Sequence, residues 1–398
     1  MRLLNLIAAG CLSSVAAASR SPITSFQPLV RSTNGSHSNP ITPKVFIVDM
    51  FSDEGEAWYG IPEFDVLALN ITVPGLSPLF PDVHCTADEE VCQVITGEGE
   101  INAAVTINSL ANSPLFNLSQ TYFLIAGIAG VSPKVATIGS VTFARYAVSV
   151  ALQYEIDARE LPANFSTGYF PQGTSSPTDN LAEIYGTEVY EVNDPLRQIA
   201  MSFARKAILN DTADAMNYRV LYGSTAAFTL GAHPPSVVAC DTATSDVYFT
   251  GELLADAFEN TTSIWTNGSG IYCTTQQEDN ATLEALLRAA TINLVDFSRI
   301  IIMRTASDFD RPHSGQTILN NLLVQDQGYD PSIKNLYLAG VKVVGGILDG
   351  WESRFAAGIQ ATNYVGGILD TLGRQPDFGP GPTVQKRGLK QRRGMRRH

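Results

Sequence analysis

Short apolar runs rich in β-branched residues alternate with alanine-rich stretches of helical period from about Lys44 to Gly373. That alternation restricts the chain to an α/β fold, with a sheet covered by helices on both faces. KVFIVDMF (44–51), CQVITG (92–97), TYFLIAGIAG (121–130), SVTFARYAVSVAL (140–152) and RIIIMRTAS (299–307) read as strands. INAAVTINSLA (101–111), DPLRQIAMSFARKAIL (194–209), ATLEALLRAATIN (281–293) and SRFAAGIQATNYVGGILDTLG (353–373) read as helices. In the second of these, Asp194 is the expected N-cap, and Ile199, Phe203 and Ala207 are apolar at helical spacing. The glycine-broken LYLAGVKVVGGIL (336–348) reads as buried strand and turn. A 44% hydrophobic fraction can fill the core of a single domain over residues 44–375.

The ends of the chain differ from this body. MRLLNLIAAGCLSSVAAASR has a basic residue, an apolar stretch and a small-residue cleavage site, the pattern of a secretory signal peptide over residues 1–18. Residues 19–43 form a Ser/Pro/Asn-rich leader, and 376–398 are expected to be a disordered basic tail. Its seven Lys and Arg residues, against Asp377, leave the rest of the chain at −19 where the whole stands at a formal −13. Such an acidic body opposes nucleic-acid binding.

With Cys11 lost in the signal, four cysteines remain, an even number that suits disulfides in an exported chain. Cys85–Cys92 and Cys240–Cys273 are natural loops, although four cysteines allow three pairings. Eight Asn-X-Ser/Thr acceptors (Asn34, Asn70, Asn117, Asn164, Asn210, Asn260, Asn267, Asn280) fit a secreted or cell-surface glycoprotein, with Asn280, beside the candidate site residues below, not expected to carry sugar. After the signal, no apolar run reaches the ~18 residues of a spanning helix.

In open α/β sheets ligands bind beyond the carboxyl ends of strands, so polar residues that follow apolar runs are the candidates. Asp53, Glu54 and Glu56 in MFSDEGEAW could hold or activate water, or simply cap a helix. TGEGEINAA (96–104) has a Gly-X-Gly turn, but Glu98 and Glu100 beside it would repel phosphate, which favours a tight turn. Gly127 and Gly130 let backbone approach a ligand closely. Glu278 and Asp308 both fall at strand ends, and Asp308 could instead cap a helix or pair with Arg304 or Arg311. No metal-ligand spacing surrounds His84 and Cys85, and no cofactor is implied.

Taken in order, five pieces resemble the nucleoside phosphorylase/nucleosidase superfamily: TGEGEINAA, AGIAG (126–130), TSDVYF (244–249), TQQEDNA (275–281) and RTASD (304–308). The body resembles most closely the fungal and bacterial purine nucleoside permease family. That resemblance implies a three-layer sandwich with a central mixed, partly barrel-like sheet flanked by helices. It implies Asp308 as proton donor to a purine, Glu278 and Gln277 at the ribose, and Tyr248 against the base. Glu54 or else Glu56 falls near the acid that holds water in related nucleosidases. Gly127, Gly130, Ser307 and Asp53 complete the expected site. Ile128 and Gln277 depart from the superfamily's serine and methionine. No arginine follows the first strand, where phosphorolytic relatives bind phosphate, though Arg145 or Arg304 could serve.

The expectation is an exported nucleoside N-ribosyl hydrolase. A nucleoside-binding protein supporting uptake and a phosphate-dependent phosphorylase are the alternatives. Superfamily relatives are usually oligomers, so a homo-oligomer is a further expectation.

Overall fold

The structure, a computed structural model, describes residues 39–324 and 327–380 and the backbone of 385 and 386. The signal peptide, the leader as far as Ser38 and the arginines of the basic tail lie outside the described residues. Of the assigned leader, Ile41 is buried and its N–H donates to Leu115 O (2.9 Å). Of the assigned tail, Phe378 is buried and Gln385–Lys386 pairs in parallel with Glu183–Ile184.

Eight strands build the centre: β1 (Val45–Asp49), β2 (Val91–Ile95), β3 (Tyr122–Val131), β4 (Val141–Ala144), β5 (Tyr146–Ser149), β6 (Asp241–Thr244), β7 (Tyr272–Gln276) and β8 (Ile300–Phe309). β1 lies parallel between β2 and β3. β8 runs parallel to β3 and antiparallel to β4, which passes through Arg145 alone into β5. β5 pairs with β6, β6 with β7, and β7 returns antiparallel to β3. The path β3–β8–β4/β5–β6–β7–β3 therefore closes on itself. This is the mixed, partly barrel-like sheet that was expected. Beyond it, Asp82–Cys85 and Leu69–Thr72 extend the β2 side, and Val189–Glu191 and Gly366–Gly367 extend the β5 side.

Successive residues of a strand face opposite sides, and here both sides are covered. The helices that bear on the sheet and the cavity are α1 (Ser52–Glu56), α2 (Glu100–Ala111), α3 (Asp194–Ala204), α4 (Asp279–Thr291) and α5 (Tyr329–Asp349). Val45, Ile47, Leu124, Ile301 and Met303 join one core with α3 and α5. Phe46, Val48, Phe123, Ile125, Ile300 and Ile302 join the other core with α2 and α4. Burial on both faces explains why these strands read as continuous apolar runs.

Three local expectations are corrected. LYLAGVKVVGGIL is helical, lying within α5. Leu336, Ala339, Val343 and Ile347 recur at helical spacing and are buried. The expected helix over 353–373 is instead a short π-helical turn, Trp351–Phe355, followed by irregular chain in which Gly358 has φ +84°. The cap of α3 is Asn193, not Asp194: the Asn193 side chain accepts from the Leu196 N–H. Both disulfides, Cys85–Cys92 and Cys240–Cys273, are formed.

The glycines of α5 serve packing. A Cβ at Gly340 would stand 2.4 Å from Trp58 Cη2 and 3.1 Å from Met303 Cε. Gly340→Ala is expected to destabilise the protein by about 1–3 kcal/mol through overpacking, as a lowered urea midpoint with an unchanged slope. Unaltered stability would mean that Trp58 can move aside.

Candidate active site

β3 sets the geometry. In register, Gly130 faces Thr275 of β7 on one side and Asp308 of β8 on the other. A Cβ at Gly130 would lie 2.4 Å from Thr275 Oγ1 and 3.2 Å from Asp308 Oδ2, so a larger residue would fill the space between them. The pairing of β8 shifts register between Ala306 and Asp308. Such an irregularity re-aims side chains, and consecutive Ser307 and Asp308 both line one cavity of about 360 Å³. That volume suits a small molecule, whose sites span roughly 300–1,000 Å³.

Asp308 is buried. Its Oδ1 accepts from Ser307 Oγ (2.6 Å), and its Oδ2 accepts from the Tyr248 hydroxyl (3.0 Å). Burial raises its pKa, opposed by those two hydrogen bonds and supported by nearby Asp310. Neither arginine considered as its partner takes that place. Arg311 binds Asp310 (2.9 Å) and Asp256 (2.7 Å), while Arg304 binds Asp279 (2.6 Å).

Glu54 comes from α1, directly after β1. Gln93 Nε2 donates to Gly55 O (2.9 Å) and to Asp49 Oδ2 (2.6 Å), which ties this short helix to the sheet. Glu54 is thereby held inside, where Oε1 accepts from Ile128 N–H (2.6 Å) and Oε2 from Met50 N–H (2.7 Å). Burial pushes its carboxyl up to about 8 against the attraction of Arg304.

Glu278 immediately precedes α4. Its Oε1 accepts from Gly99 N–H (3.0 Å) and its Oε2 from Arg304 (3.3 Å). Gln276 positions it by accepting from the N–H groups of Glu278 (2.7 Å) and Asp279 (2.8 Å). Burial raises the pKa of Glu278, with Arg304 acting the other way. Arg304 itself donates to Asp279 Oδ1 (2.6 Å) and to Ile128 O (3.1 Å).

Of the residues expected at the site, Asp308, Glu54, Glu278, Gln277, Tyr248, Gly130 and Ser307 line this cavity. Gly127 lies just behind it: a Cβ there would meet Arg304 at 2.6 Å and Glu54 at 2.8 Å. Glu56 is corrected. It is exposed and lines a separate hollow with Tyr59, Asp82 and His84, because two positions along a helix point nearly opposite ways. Asp53 is corrected in role as well: it is exposed and accepts from the hydroxyl of Tyr329 (2.7 Å), a wall residue that the sequence reading passed over. The Gly97–Gly99 turn is capped by acids, with Glu278 on Gly99 N–H and Asp246 on Glu100 N–H (2.8 Å), so these donors are already used. Arg145 is taken by Glu191 (2.6 Å).

The raised carboxyl of Glu54 ties stability to pH. Its folded value lies above the ordinary 4.5, so the native state binds an extra proton between about 4.5 and 8. Stability from this group is complete below that window and is lost as pH rises through it. Glu54→Gln is expected to remove this loss, a difference on the order of a few kcal/mol between pH 5 and pH 9. Urea midpoints of wild type and variant across that range check it. Parallel curves would refute the assignment.

Comparison with known proteins places the chain. The family model described as purine nucleoside permease (NUP) matches residues 42–360. A purine nucleoside permease of Candida albicans is 47% identical over 344 residues, covering 85% of this chain and 83% of that protein. A probable purine nucleoside permease of Schizosaccharomyces pombe is 44% identical over 320 residues, covering 78% and 90%. Among solved structures, a 5'-methylthioadenosine/S-adenosylhomocysteine nucleosidase from Neisseria meningitidis aligns with TM-score 0.45 at 13% identity, over 78% of this chain and 99% of that one. Futalosine hydrolase of Helicobacter pylori aligns with TM-score 0.43 at 13% identity, over 76% and 98%. Both are too distant to bear on chemistry. The matched span and the two fungal relatives suffice: the chain belongs to the purine nucleoside permease family.

Proposed function

We propose that the protein is an exported nucleoside N-ribosyl hydrolase that cleaves purine nucleosides to base and ribose. One observation carries this reading. Glu54, Glu278 and Asp308 line a single cavity, and Arg304 in its wall is already bound to Asp279 and Glu278. Buried carboxyl groups on several walls suit a reaction that builds positive charge on a sugar and negative charge on its leaving base.

In this mechanism the protonated Asp308 gives its proton to the purine as the C1'–N9 bond breaks. Burial favours the protonated form. Glu278 accepts hydrogen bonds from the ribose hydroxyls. Glu54, when ionised, takes a proton from a water molecule whose oxygen bonds to C1'. Tyr248, held by its bond to Asp308, presents its ring to the base. Phosphate is disfavoured as nucleophile, since among the described lining residues the one cation, Arg304, is already paired with Asp279 and Glu278.

A second reading is nucleoside binding in support of uptake, favoured by the name permease that the fungal relatives carry. Among the described residues no helix is long and apolar enough to cross a membrane, so this role would be delivery to another component. Incubating purified protein with inosine or adenosine, with and without phosphate, decides. Free base and ribose without phosphate support hydrolysis. Base released only with phosphate supports a phosphorylase. Saturable binding without release supports the uptake role.

A further inference from the structure

The charge and shape of the cavity favour a ligand more specific than a neutral nucleoside. Among the described residues, four that line the cavity are acids: Glu54, Glu98, Glu278 and Asp308. Among the described lining residues Arg304 is the one cation, and its two Nη atoms are engaged by Asp279, Glu278 and the carbonyl of Ile128. The same walls carry the aromatic rings of Phe51, Tyr248, Phe249 and Tyr329. Carboxylates attract a cation, and aromatic faces bind one through the ring quadrupole. Burial holds Glu54 and Asp308 toward their neutral forms, and a fixed positive charge on the ligand would draw both toward ionisation.

We propose that this pocket also binds and cleaves flat, cationic N-ribosides, of which the pyridinium ribosides are the simplest. The proposal rests on the hydrolase reading and extends its substrate class. The step balances without an acid. A water oxygen bonds to C1', and the electron pair of the C1'–N bond passes to the ring nitrogen, cancelling its positive charge. The pyridine leaves neutral, and the proton lost by water goes to Glu54 and then to solvent. A purine leaving group needs the proton of Asp308; a pyridinium leaving group does not.

Nicotinamide riboside is the probe, and its reduced dihydro form, which has nearly the same shape but no charge, is the control. Wild-type protein is expected to bind the charged form at least ten-fold more tightly and to release nicotinamide from it. Asp308→Asn is expected to cut inosine cleavage by about 10²–10⁴-fold while lowering nicotinamide riboside cleavage by less than ten-fold. Equal binding of the two forms overturns the proposal, as does an equal loss on both substrates in the variant. Cleavage of inosine with none of nicotinamide riboside overturns the proposal alone. Cleavage of neither substrate overturns the hydrolase reading beneath it. The binding comparison needs only wild-type protein, so a poorly folding variant does not obscure the result.

Discussion

Asp308→Asn is expected to lower kcat for purine nucleoside hydrolysis by about 10²–10⁴-fold, the usual contribution of a positioned acid, with KM changed no more than a few-fold. Asparagine keeps the size of aspartic acid and can still meet Ser307 and Tyr248, which now hold the carboxyl at 2.6 and 3.0 Å. It cannot supply a transferable proton. The substitution also exchanges a group whose burial favours neutrality for one that is always neutral, so the fold should persist. Steady-state kinetics with inosine separate the two parameters. A variant with wild-type kcat would remove Asp308 from catalysis. A variant with raised KM and unchanged kcat would make it a binding group only.

Arg304→Met is expected to be the most damaging substitution for stability. The guanidinium is almost wholly buried, and it is the hydrogen-bond donor to Asp279 Oδ1 at 2.6 Å, while Asp279 Oδ2 has no partner. Methionine matches the stem of arginine but leaves Asp279 and Glu278 buried without their counter-charge. Removing one member of such a group costs about 3–5 kcal/mol, read as a lowered urea midpoint. The double variant Arg304→Met/Asp279→Asn should recover part of the loss, because the stranded charge is gone. If the double variant is no more stable than the single one, the ion pair is not the source of the effect.

Much of the fold could be read from the chain because its strands are buried on both faces. VFIVD, YFLIAGIAGV and IIIMRTASDF are apolar for that reason, and their polar ends mark where the sheet opens on the cavity. The misreadings have physical causes. In α5, valines and paired glycines suggested a strand, yet Gly340 is where Trp58 and Met303 pack against the helix. Local preference yielded there to tertiary packing. Glu54 and Glu56 could not be told apart, since a five-residue helix is too short for a period to show which face is inward; the tether from Gln93 to Gly55 decides it. Tyr329 was missed with the start of α5. Gln276 was passed over for its neighbours because its task, accepting from two backbone N–H groups ahead of α4, leaves no pattern in sequence.

The closed path of strands has a consequence for how the protein behaves at high concentration. β3, β7 and β8, which line the cavity, have hydrogen-bonded neighbours on both sides, so they offer no template on which another chain could polymerise. Among the described residues, the large sheet ends in the four-residue Leu69–Thr72 at one margin and in the two-residue Gly366–Gly367 at the other, with the three-residue Val237–Ala239 beside β4 as a third short edge. The first of these alternates half-covered with exposed side chains, and its Asn70 lies in a glycan acceptor sequence. Margins this short discourage fibril growth.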